Sequence, residues 1–301
     1  MLQLPDVRVG EPIRFGGISL FPLFSGASLF PERNVDYMLS HEAMESGAVT
    51  VTEASERGVV SELLVRNDGD PVLFLEGSEL RGARQNRAIN TTMLVAGRSQ
   101  TLIPVSCVER RRWTESCGHF RPGSHSPPSL RHVLKEGWVP GRRKLGHRQS
   151  AVWAEIRRKH GALNVSSETE DMAAVLEARR KQVDEMQEQF IYPAPANGIA
   201  LVLGDSLICI DILDKAETLE KIWDRFREGL LVDLLEFSSP AKNIGVIEIA
   251  AKVNNMTHHL PWFQAEPVGL GEQYRAHDNT MLAAALVVDG TVIHASATMP
   301  R

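Results

Sequence analysis

The sequence has few cysteines, few aromatic residues and no long apolar run. It contains three cysteines, an odd number with no CxxC pair, which argues against both a disulfide framework and a thiolate zinc site. The most apolar window, residues 198–213, contains Asp205 and Asp211 and is shorter than a membrane-spanning helix. The first residues lack a basic segment followed by an apolar run, so we expect no secretory signal. These absences predict a cytoplasmic protein that does not enter the membrane.

General catalytic and nucleotide-binding motifs are absent too. The chain contains no GxGxxG, Walker A, GxSxG or HExxH sequence. Its ten histidines show no metal-ligand spacing. The sequence therefore predicts no metal site and identifies no cofactor, and it leaves the oligomeric state and the existence of a reaction open.

What is present is the composition of a globular protein with an uneven distribution of charge. Of 301 residues, 43% are apolar and 24% are charged, and the net charge is −5. Residues 110–148 hold ten Lys and Arg against two acids, a local charge of +8, so the rest of the chain carries −13. This basic stretch suits a polynucleotide backbone, a small anionic ligand over which it closes, or docking on the acidic remainder of the chain. Because the remainder is acidic and no RNA-binding signature occurs, we favour the small anion over nucleic acid.

The pattern of apolar residues predicts an α+β fold. Short alternating segments with turn residues between them predict an antiparallel, β-rich N-terminal half. The middle of the chain shows helical periodicity, and the C-terminal residues return to strands in a sheet. By region, we expect a β-rich part at 1–113, a basic loop or linker at 114–149, and an α+β part at 150–301 that packs with the first as one compact unit.

The densest run of functional groups is residues 76–91, between two predicted strands. It holds two carboxylates, three guanidinium groups and three side-chain amides. Guanidinium groups recognise phosphate or carboxylate, amides orient sugars or bases, and carboxylates act as bases or metal ligands. The candidates are Glu76 and Glu79 for catalysis and Arg81, Gln85, Asn86, Arg87 and Asn90 for ligand binding. The alternative is a charged hairpin whose ions pair with one another.

A second polar group, residues 106–113, follows the next predicted strand. If the two strands pair, their polar ends meet, which adds Glu109 to the catalytic candidates and Cys107, Arg112 and Trp113 to the binding candidates. Neighbouring arginines would lower the pKa of Cys107 and make it a nucleophile, but a lone cysteine on a strand is more often a small core residue. Trp113 is either a stacking surface for a base or sugar or a core residue.

Residues 71–90 and 103–113 resemble the ARG and Rhodanese-Phosphatase-superfamily-associated protein domain family, and residues 208–219 and 292–294 are similar to it as well. The resemblance spans most of the chain. It implies a link to ADP-ribosylglycohydrolases and rhodanese-like phosphatases, and hence to the metabolism of NAD, ADP-ribose or related phosphorylated ribosides. Proteins of the ADP-ribosylglycohydrolase pathway are the partners that it suggests. The family has no agreed activity.

Three hypotheses for function follow. In the first, the protein binds or processes an anionic ADP-ribose-like or NAD-derived ligand, with Arg81, Arg87 and Arg112 on the phosphates and the amides on the sugar or base. In the second, it is a non-catalytic sensing or interaction module, and the same residues form a structural ion-pair lattice. In the third, which we favour least, residues 110–148 bind nucleic acid.

Overall fold

The computed structural model describes residues 2–26, 35–114, 118–138, 145–237 and 244–300, without the side chains of 145–147. The strands are β1 (Val7–Val9), β2 (Ile13–Phe15), β3 (Ile18–Ser25), β4 (Met38–Leu39), β5 (Val49–Glu53), β6 (Glu62–Asn67), β7 (Val72–Phe74), β8 (Ser78–Gly82), β9 (Arg87–Ile89), β10 (Met93–Val95), β11 (Ser99–Cys107), β12 (Phe120–His125), β13 (Gly198–Leu203), β14 (Ser206–Leu213), β15 (Phe263–Ala265), β16 (Glu272–His277), β17 (Leu282–Val288) and β18 (Thr291–Thr298). The helices are α1 (Ser40–Glu45), α2 (Pro128–Glu136), α3 (Leu145–Ala162), α4 (Met172–Ala178), α5 (Arg180–Gln187), α6 (Ala216–Leu234) and α7 (Val246–Asn254), the last of which continues into a π-helical turn (Asn255–His259).

The chain divides into two compact units. Unit 1 comprises Met1–Val35, Gln182–Pro267 and Gly271–Arg301, and unit 2 comprises Asp36–Lys181 with Val268–Leu270. These boundaries differ from the regions 1–113, 114–149 and 150–301 predicted from the sequence. Unit 1 is discontinuous, because its first strands and its remaining elements are separated by unit 2 in the sequence.

Unit 1 is built on one antiparallel sheet. Within the described residues this sheet has nine strands in the order β1-β3-β13-β14-β18-β17-β16-β15, with β2 also paired to β3. The hairpin between β17 and β18 turns at Asp289 and Gly290, which have φ angles of +50° and +79°. Two consecutive positive φ angles are typical of a type I′ turn, as the Asp-Gly pair predicts.

The core of unit 1 lies between this sheet and α7. One face of the sheet carries Phe21, Ala200 and Ile210, which lie opposite one another on β3, β13 and β14. They belong to the same apolar cluster as Ile249 and Val253 of α7. These five residues are all buried. The helix α6 contacts β13 and β14 and buries its own apolar side. The predicted return of the C-terminal strands to a sheet is therefore confirmed.

Unit 2 contains two sheets that share a core. The described strands form a six-stranded antiparallel sheet in the order β12-β8-β9-β11-β6-β5 and a three-stranded sheet in the order β10-β7-β4. In the smaller sheet β4 runs parallel to β7, a departure from the otherwise antiparallel pairing. Buried side chains from both sheets, among them Phe74, Val65 and Ile103, make one apolar cluster. The α+β class predicted from the sequence is confirmed.

The basic stretch 114–149, which the sequence predicts to be a loop or linker, includes regular secondary structure. It contains β12, which pairs with β8, and the helix α2. Pro128 stands at the first turn of α2, where the missing N–H of proline costs no hydrogen bond. Residues 115–117 and 139–144 of this stretch lie outside the described residues.

Candidate functional site

The register of β8 and β9 separates the predicted site residues. Glu79 is opposite Ala88, and Leu80 is opposite Arg87. Side chains alternate between the two faces of a strand and directly opposed residues share a face, so Glu79 and Arg87 point to opposite faces of the sheet. Arg87 shares its face with Leu80, which belongs to the apolar core of unit 2. The single converging surface that the sequence predicted is therefore divided into separate clusters.

The first, which we call the Arg87 cluster, consists of Glu53, Arg84, Arg87, Cys107 and Trp113. The Arg87 side chain is fully buried, and its Nη1 donates to the Gln85 carbonyl at 2.9 Å. Its Nη2 lies 3.7 Å from Oε2 of Glu53, which is too long for a hydrogen bond. Among the described residues, Nε and Nη2 of Arg87 have no hydrogen-bond acceptor, and Oε2 of Glu53 has no donor.

The aromatic ring of the Arg87 cluster is partly exposed. Trp113 has 41% of its surface accessible, and its ring centroid is 5.8 Å from the guanidinium carbons of both Arg84 and Arg87. Gly58, at φ +74°, packs here; a Cβ on it would lie 2.9 Å from Cδ of Arg84 and 3.1 Å from the Trp113 ring. This close approach needs a glycine. The exposed fraction of Trp113 makes it a surface residue rather than a core residue.

Cys107 lies opposite Arg87 on β11 and is completely buried. Burial raises the pKa of Cys107 to about 11, with the nearby Arg87 guanidinium lowering it and the Glu53 and Glu109 carboxylates raising it. At neutral pH the group is therefore a protonated thiol, whereas the nucleophilic form of cysteine is the thiolate. The geometry supports a small core residue rather than a nucleophile.

The second cluster, which we call the Glu79 cluster, consists of Glu79, Arg81, Ser124, Ser126 and Asp171. The carboxyl of Glu79 accepts from the Ser126 hydroxyl at 3.1 Å and from the Ser124 hydroxyl at 3.3 Å. Burial raises the pKa of Glu79 to about 7; the Arg81 guanidinium lowers it, the Asp171 carboxylate raises it, and the two serine hydrogen bonds lower it. A carboxyl that titrates near neutral pH is suited to proton transfer.

Asp171 connects the Glu79 cluster to the neighbouring polar residues. It is the N-cap of α4, and its Oδ1 accepts from the Ala173 amide at 3.2 Å. Its Oδ2 accepts from the side-chain amide of Asn86 at 3.0 Å. Burial, followed by the Glu109 carboxylate, raises the pKa of Asp171, while the Ala173 and Asn86 hydrogen bonds and the Arg81 charge lower it. Asn86 is thus used to hold Asp171.

Arg112 is committed to internal contacts. Its Nε and Nη2 donate to the two oxygens of Glu109 at 2.8 and 2.7 Å, and its Nη1 donates to the Ala83 carbonyl at 2.6 Å. Glu109 also accepts from the backbone N–H of Asn86 at 3.1 Å. This bidentate pair closes the turn between β8 and β9 onto the end of β11, so Arg112 and Glu109 have a positioning role in the described geometry.

Glu76, a predicted catalytic residue, is paired with the helix α2. Its Oε1 accepts from Nε of Arg131 at 3.2 Å and from Nζ of Lys135. All three side chains are buried. Two cations one helical turn apart therefore compensate one carboxylate, and the arrangement ties α2 to the turn between β7 and β8.

The remaining candidates are dispersed. Gln85 is buried, and its amide donates to the Arg110 carbonyl at 3.1 Å. Arg81 donates to Glu177 at 3.2 Å in a pair that is largely exposed, and its buried Nε has no acceptor among the described residues. Oδ1 of Asn90 is likewise buried without a donor there.

Sequence reasoning missed several residues that complete these clusters, namely Glu53, Ser124, Ser126, Arg131, Lys135 and Asp171. Two of them carried a signal: Asp171 precedes Met-Ala-Ala, the pattern of an N-cap, and Glu53 ends an alternating strand. Within the described residues, no group of three His, Cys, Asp or Glu side chains could hold a metal ion.

The fold and the clusters describe a mixed α+β protein whose second unit is rich in buried arginine and carboxylate. A model of the ARG and Rhodanese-Phosphatase-superfamily-associated Protein domain matches residues 6–298, nearly the whole chain. The chain belongs to this family. No curated protein and no solved structure matches the sequence. In the part of the chain that the structure describes, no helix is long and apolar enough to cross a membrane.

Proposed function

We propose that unit 2 binds an anionic ADP-ribose-like or NAD-derived ligand at the Arg87 cluster. The observation that carries the proposal is the unsatisfied edge of Arg87: two nitrogens of a fully buried guanidinium, Nε and Nη2, have no acceptor among the described residues. Leaving a buried charged donor unpaired is costly, and such costs are concentrated at functional sites. A ligand that supplies the acceptors would recover this free energy.

The surroundings of Arg87 suit a nucleotide-like ligand. The half-exposed Trp113 ring offers a stacking surface for a base, and Arg84 beside it supplies a second positive charge. Stacking of a base on an aromatic ring contributes about 1–3 kcal/mol by alanine substitution. The family name, with its reference to ARG and rhodanese-phosphatase proteins, is compatible with a ligand of this class.

Fewer residues are assigned to ligand binding here than the sequence predicts. Of the predicted binding residues, Arg87 and Trp113 are kept and Arg84 is added. Arg112 and Asn86 are given positioning roles because their polar atoms are used inside the protein. Glu79 lies on the other face of the sheet, so we do not assign it to chemistry on this ligand.

The proposed binding is tested by titration calorimetry of the full chain with ADP-ribose, NAD and ADP. Trp113→Ala is expected to weaken the affinity at least tenfold, because the stacking surface is lost while the exposed position tolerates the change. Arg87→Lys is expected to weaken it by a similar factor, since lysine cannot make paired hydrogen bonds. Arg66→Lys on β6, an exposed residue of the same sheet, is the matched control. Absence of binding to all three compounds would refute the proposal.

A non-catalytic interaction module with a structural ion-pair lattice is the second candidate. The saturated contacts of Arg112 and Glu109 and the buried Glu76–Arg131–Lys135 group favour it. In this case no riboside binds, and Arg87→Lys lowers the melting temperature without any ligand-dependent effect.

A further inference from the structure

We infer that the Arg87–Glu53 pair recognises two adjacent hydroxyl groups, such as the cis-diol of a ribose ring, and not the anionic group of the ligand. This inference rests on the proposed function and names the part of the ligand that the pair selects. The juxtaposition that carries it is an unpaired donor edge and an unpaired acceptor oxygen, both buried, at a distance of 3.7 Å.

The unpaired atoms of Arg87 form one edge of the guanidinium group. Nε and Nη2 carry parallel N–H bonds, and the same edge of Arg112 binds both oxygens of Glu109 at 2.8 and 2.7 Å. The comparison within one chain shows what this edge does when acceptors are in reach. In Arg87 it has no acceptor among the described residues, although the carboxylate of Glu53 is its neighbour.

Both partners are held in place by their other atoms. Nη1 of Arg87 donates to the Gln85 carbonyl at 2.9 Å. Oε1 of Glu53 accepts from the backbone N–H of Arg84 at 3.2 Å. Each group is therefore anchored at one end, and the remaining polar atoms, Nη2 of Arg87 and Oε2 of Glu53, face each other at 3.7 Å.

The donor and acceptor pattern selects hydroxyl groups. A phosphate or carboxylate would accept from Arg87 but would be repelled by Oε2 of Glu53, and an ammonium group would meet the reverse problem. A hydroxyl accepts one hydrogen bond and donates another, so it satisfies both residues. Two adjacent hydroxyls can serve Nε and Nη2 together, which a single hydroxyl cannot do with good geometry. In this arrangement Arg84 binds the anionic group of the ligand.

Entry of the diol involves Trp113. The atoms of Arg87 and Glu53 that lack partners among the described residues are covered in the structure, and the partly exposed Trp113 ring lies beside them, its centroid 5.8 Å from the guanidinium carbon. In the inferred complex this ring turns aside and stacks on the base attached to the ribose.

The test is calorimetric titration of the full chain with ADP, 2′-deoxy-ADP and 2′,3′-dideoxy-ADP, which share the base and the charge. We expect 2′-deoxy-ADP to bind at least tenfold more weakly than ADP, and the dideoxy compound more weakly still. Equal affinities for the three would overturn the diol inference and leave the proposed function intact. Absence of binding to all three would overturn the diol inference, whereas the proposed function is overturned only if ADP-ribose and NAD fail to bind as well.

A variant distinguishes the contribution of the Glu53 carboxylate to binding from that of the Arg87 guanidinium. Glu53→Gln removes the charge and halves the acceptor capacity, so the ratio of ADP to 2′-deoxy-ADP affinity is expected to fall below threefold. The same variant is expected to bind inorganic phosphate at least threefold more tightly than the native chain, because the repulsion is gone. Glu62→Gln, at an exposed position of β6, is the control and should change neither quantity. An unchanged ratio in Glu53→Gln would contradict the assignment, and the nucleotide series on the native chain decides the matter if that variant does not fold.

Discussion

Glu79 is a buried carboxyl whose pKa lies near neutral pH. Its carboxyl is buried, and two serine hydroxyls donate to it at 3.1 and 3.3 Å. Burial outweighs the favourable charge of Arg81 and raises the pKa of Glu79 to about 7. The folded chain therefore keeps a proton there that the unfolded chain releases near pH 4.5.

This proton gives a pH-dependent contribution to stability. Between about pH 4.5 and pH 7 the native state binds more protons at this site than the unfolded state, so the free energy of unfolding falls as the pH rises. Glu79→Gln removes the ionisable group, and its stability relative to the native chain is expected to increase over this interval by up to about 3 kcal/mol. Urea unfolding at pH 4.5, 6 and 8 measures the difference.

Glu62→Gln, which changes an exposed carboxylate of the same unit, is the control and should show no comparable trend. A stability difference between Glu79→Gln and the native chain that is constant from pH 4.5 to pH 8 would contradict the raised pKa.

The residue scale also shows what the sequence could and could not predict. The density of charge at residues 76–91 drew attention to a stretch in which Glu76, Glu79 and Arg87 are buried. The register between β8 and β9 depends on the geometry of the turn that joins them, which composition does not specify, so the separation of Glu79 from Arg87 was missed. Glu53 was missed because its partner is 34 positions away in the sequence, and no local pattern marks such a pair.

Among the elements, α2 is joined to the sheets by buried charge. Arg131 and Lys135, four residues apart on its inner side, both contact Glu76. Its apolar residues Leu130 and Leu134 are buried as well. The prolines and polar residues of the basic stretch obscured this helix in the sequence, although Pro128 followed by leucines and cations at a spacing of four is a helical pattern.

Removing the carboxylate under α2 is expected to be severely destabilising. Glu76→Gln leaves two buried cations with one counter-charge fewer, and breaking a buried pair in this way costs about 3–5 kcal/mol. The urea midpoint of unit 2 reports the loss. The double variant Glu76→Gln, Lys135→Gln restores part of the balance and should recover part of the stability. A cost below about 1 kcal/mol for the single change would mean that the pairing is dispensable.

A side chain of α3 hydrogen-bonds to the backbone of β11. Oε1 of Gln149 accepts from the Cys107 N–H at 2.9 Å, and its Nε2 donates to the Cys107 carbonyl at 2.8 Å. Gln149→Ala is expected to destabilise the chain by about 1–3 kcal/mol, because two backbone groups lose their partners. Hydrogen exchange at the Cys107 amide should accelerate.

Gln149→Glu is the informative comparison, since it keeps the acceptor and loses the donor. It should preserve slow exchange at Cys107 better than Gln149→Ala does. Identical exchange in the native chain and in Gln149→Ala would show that the side chain does not hold the strand.

At the scale of the whole molecule, the two units differ in the distance that their contacts span along the chain. In unit 1, β3 pairs with β13, so Leu20 is opposite Leu201. In unit 2, β9 pairs with β11, and Val105 is opposite Ile89. Contacts between residues that are far apart in sequence require costly loop closure and slow folding.

We therefore expect unit 2 to fold first. After dilution from denaturant, amides of β9 and β11 should become protected from pulsed hydrogen exchange before those of β3 and β13. The physical reason is that the β3–β13 pairing closes a loop that contains Asp36–Lys181, nearly all of unit 2. Simultaneous protection of both sets of amides would argue against this order.

The contact between the end of β3 and the start of β13 has a further consequence. The side chain of Asn197 accepts from the Ser25 N–H at 2.8 Å and donates to the Leu213 carbonyl at 2.8 Å, which fastens the end of β3 to the start of β13. The long segment between these strands, which contains residues 36–181 of unit 2, thus begins and ends at one hydrogen-bonded contact. Because its ends are joined within the nine-stranded sheet, this segment can lengthen, shorten or be exchanged without changing the pairing of that sheet, and Ser25 and Asn197 are suitable junctions for grafting it from one family member into another.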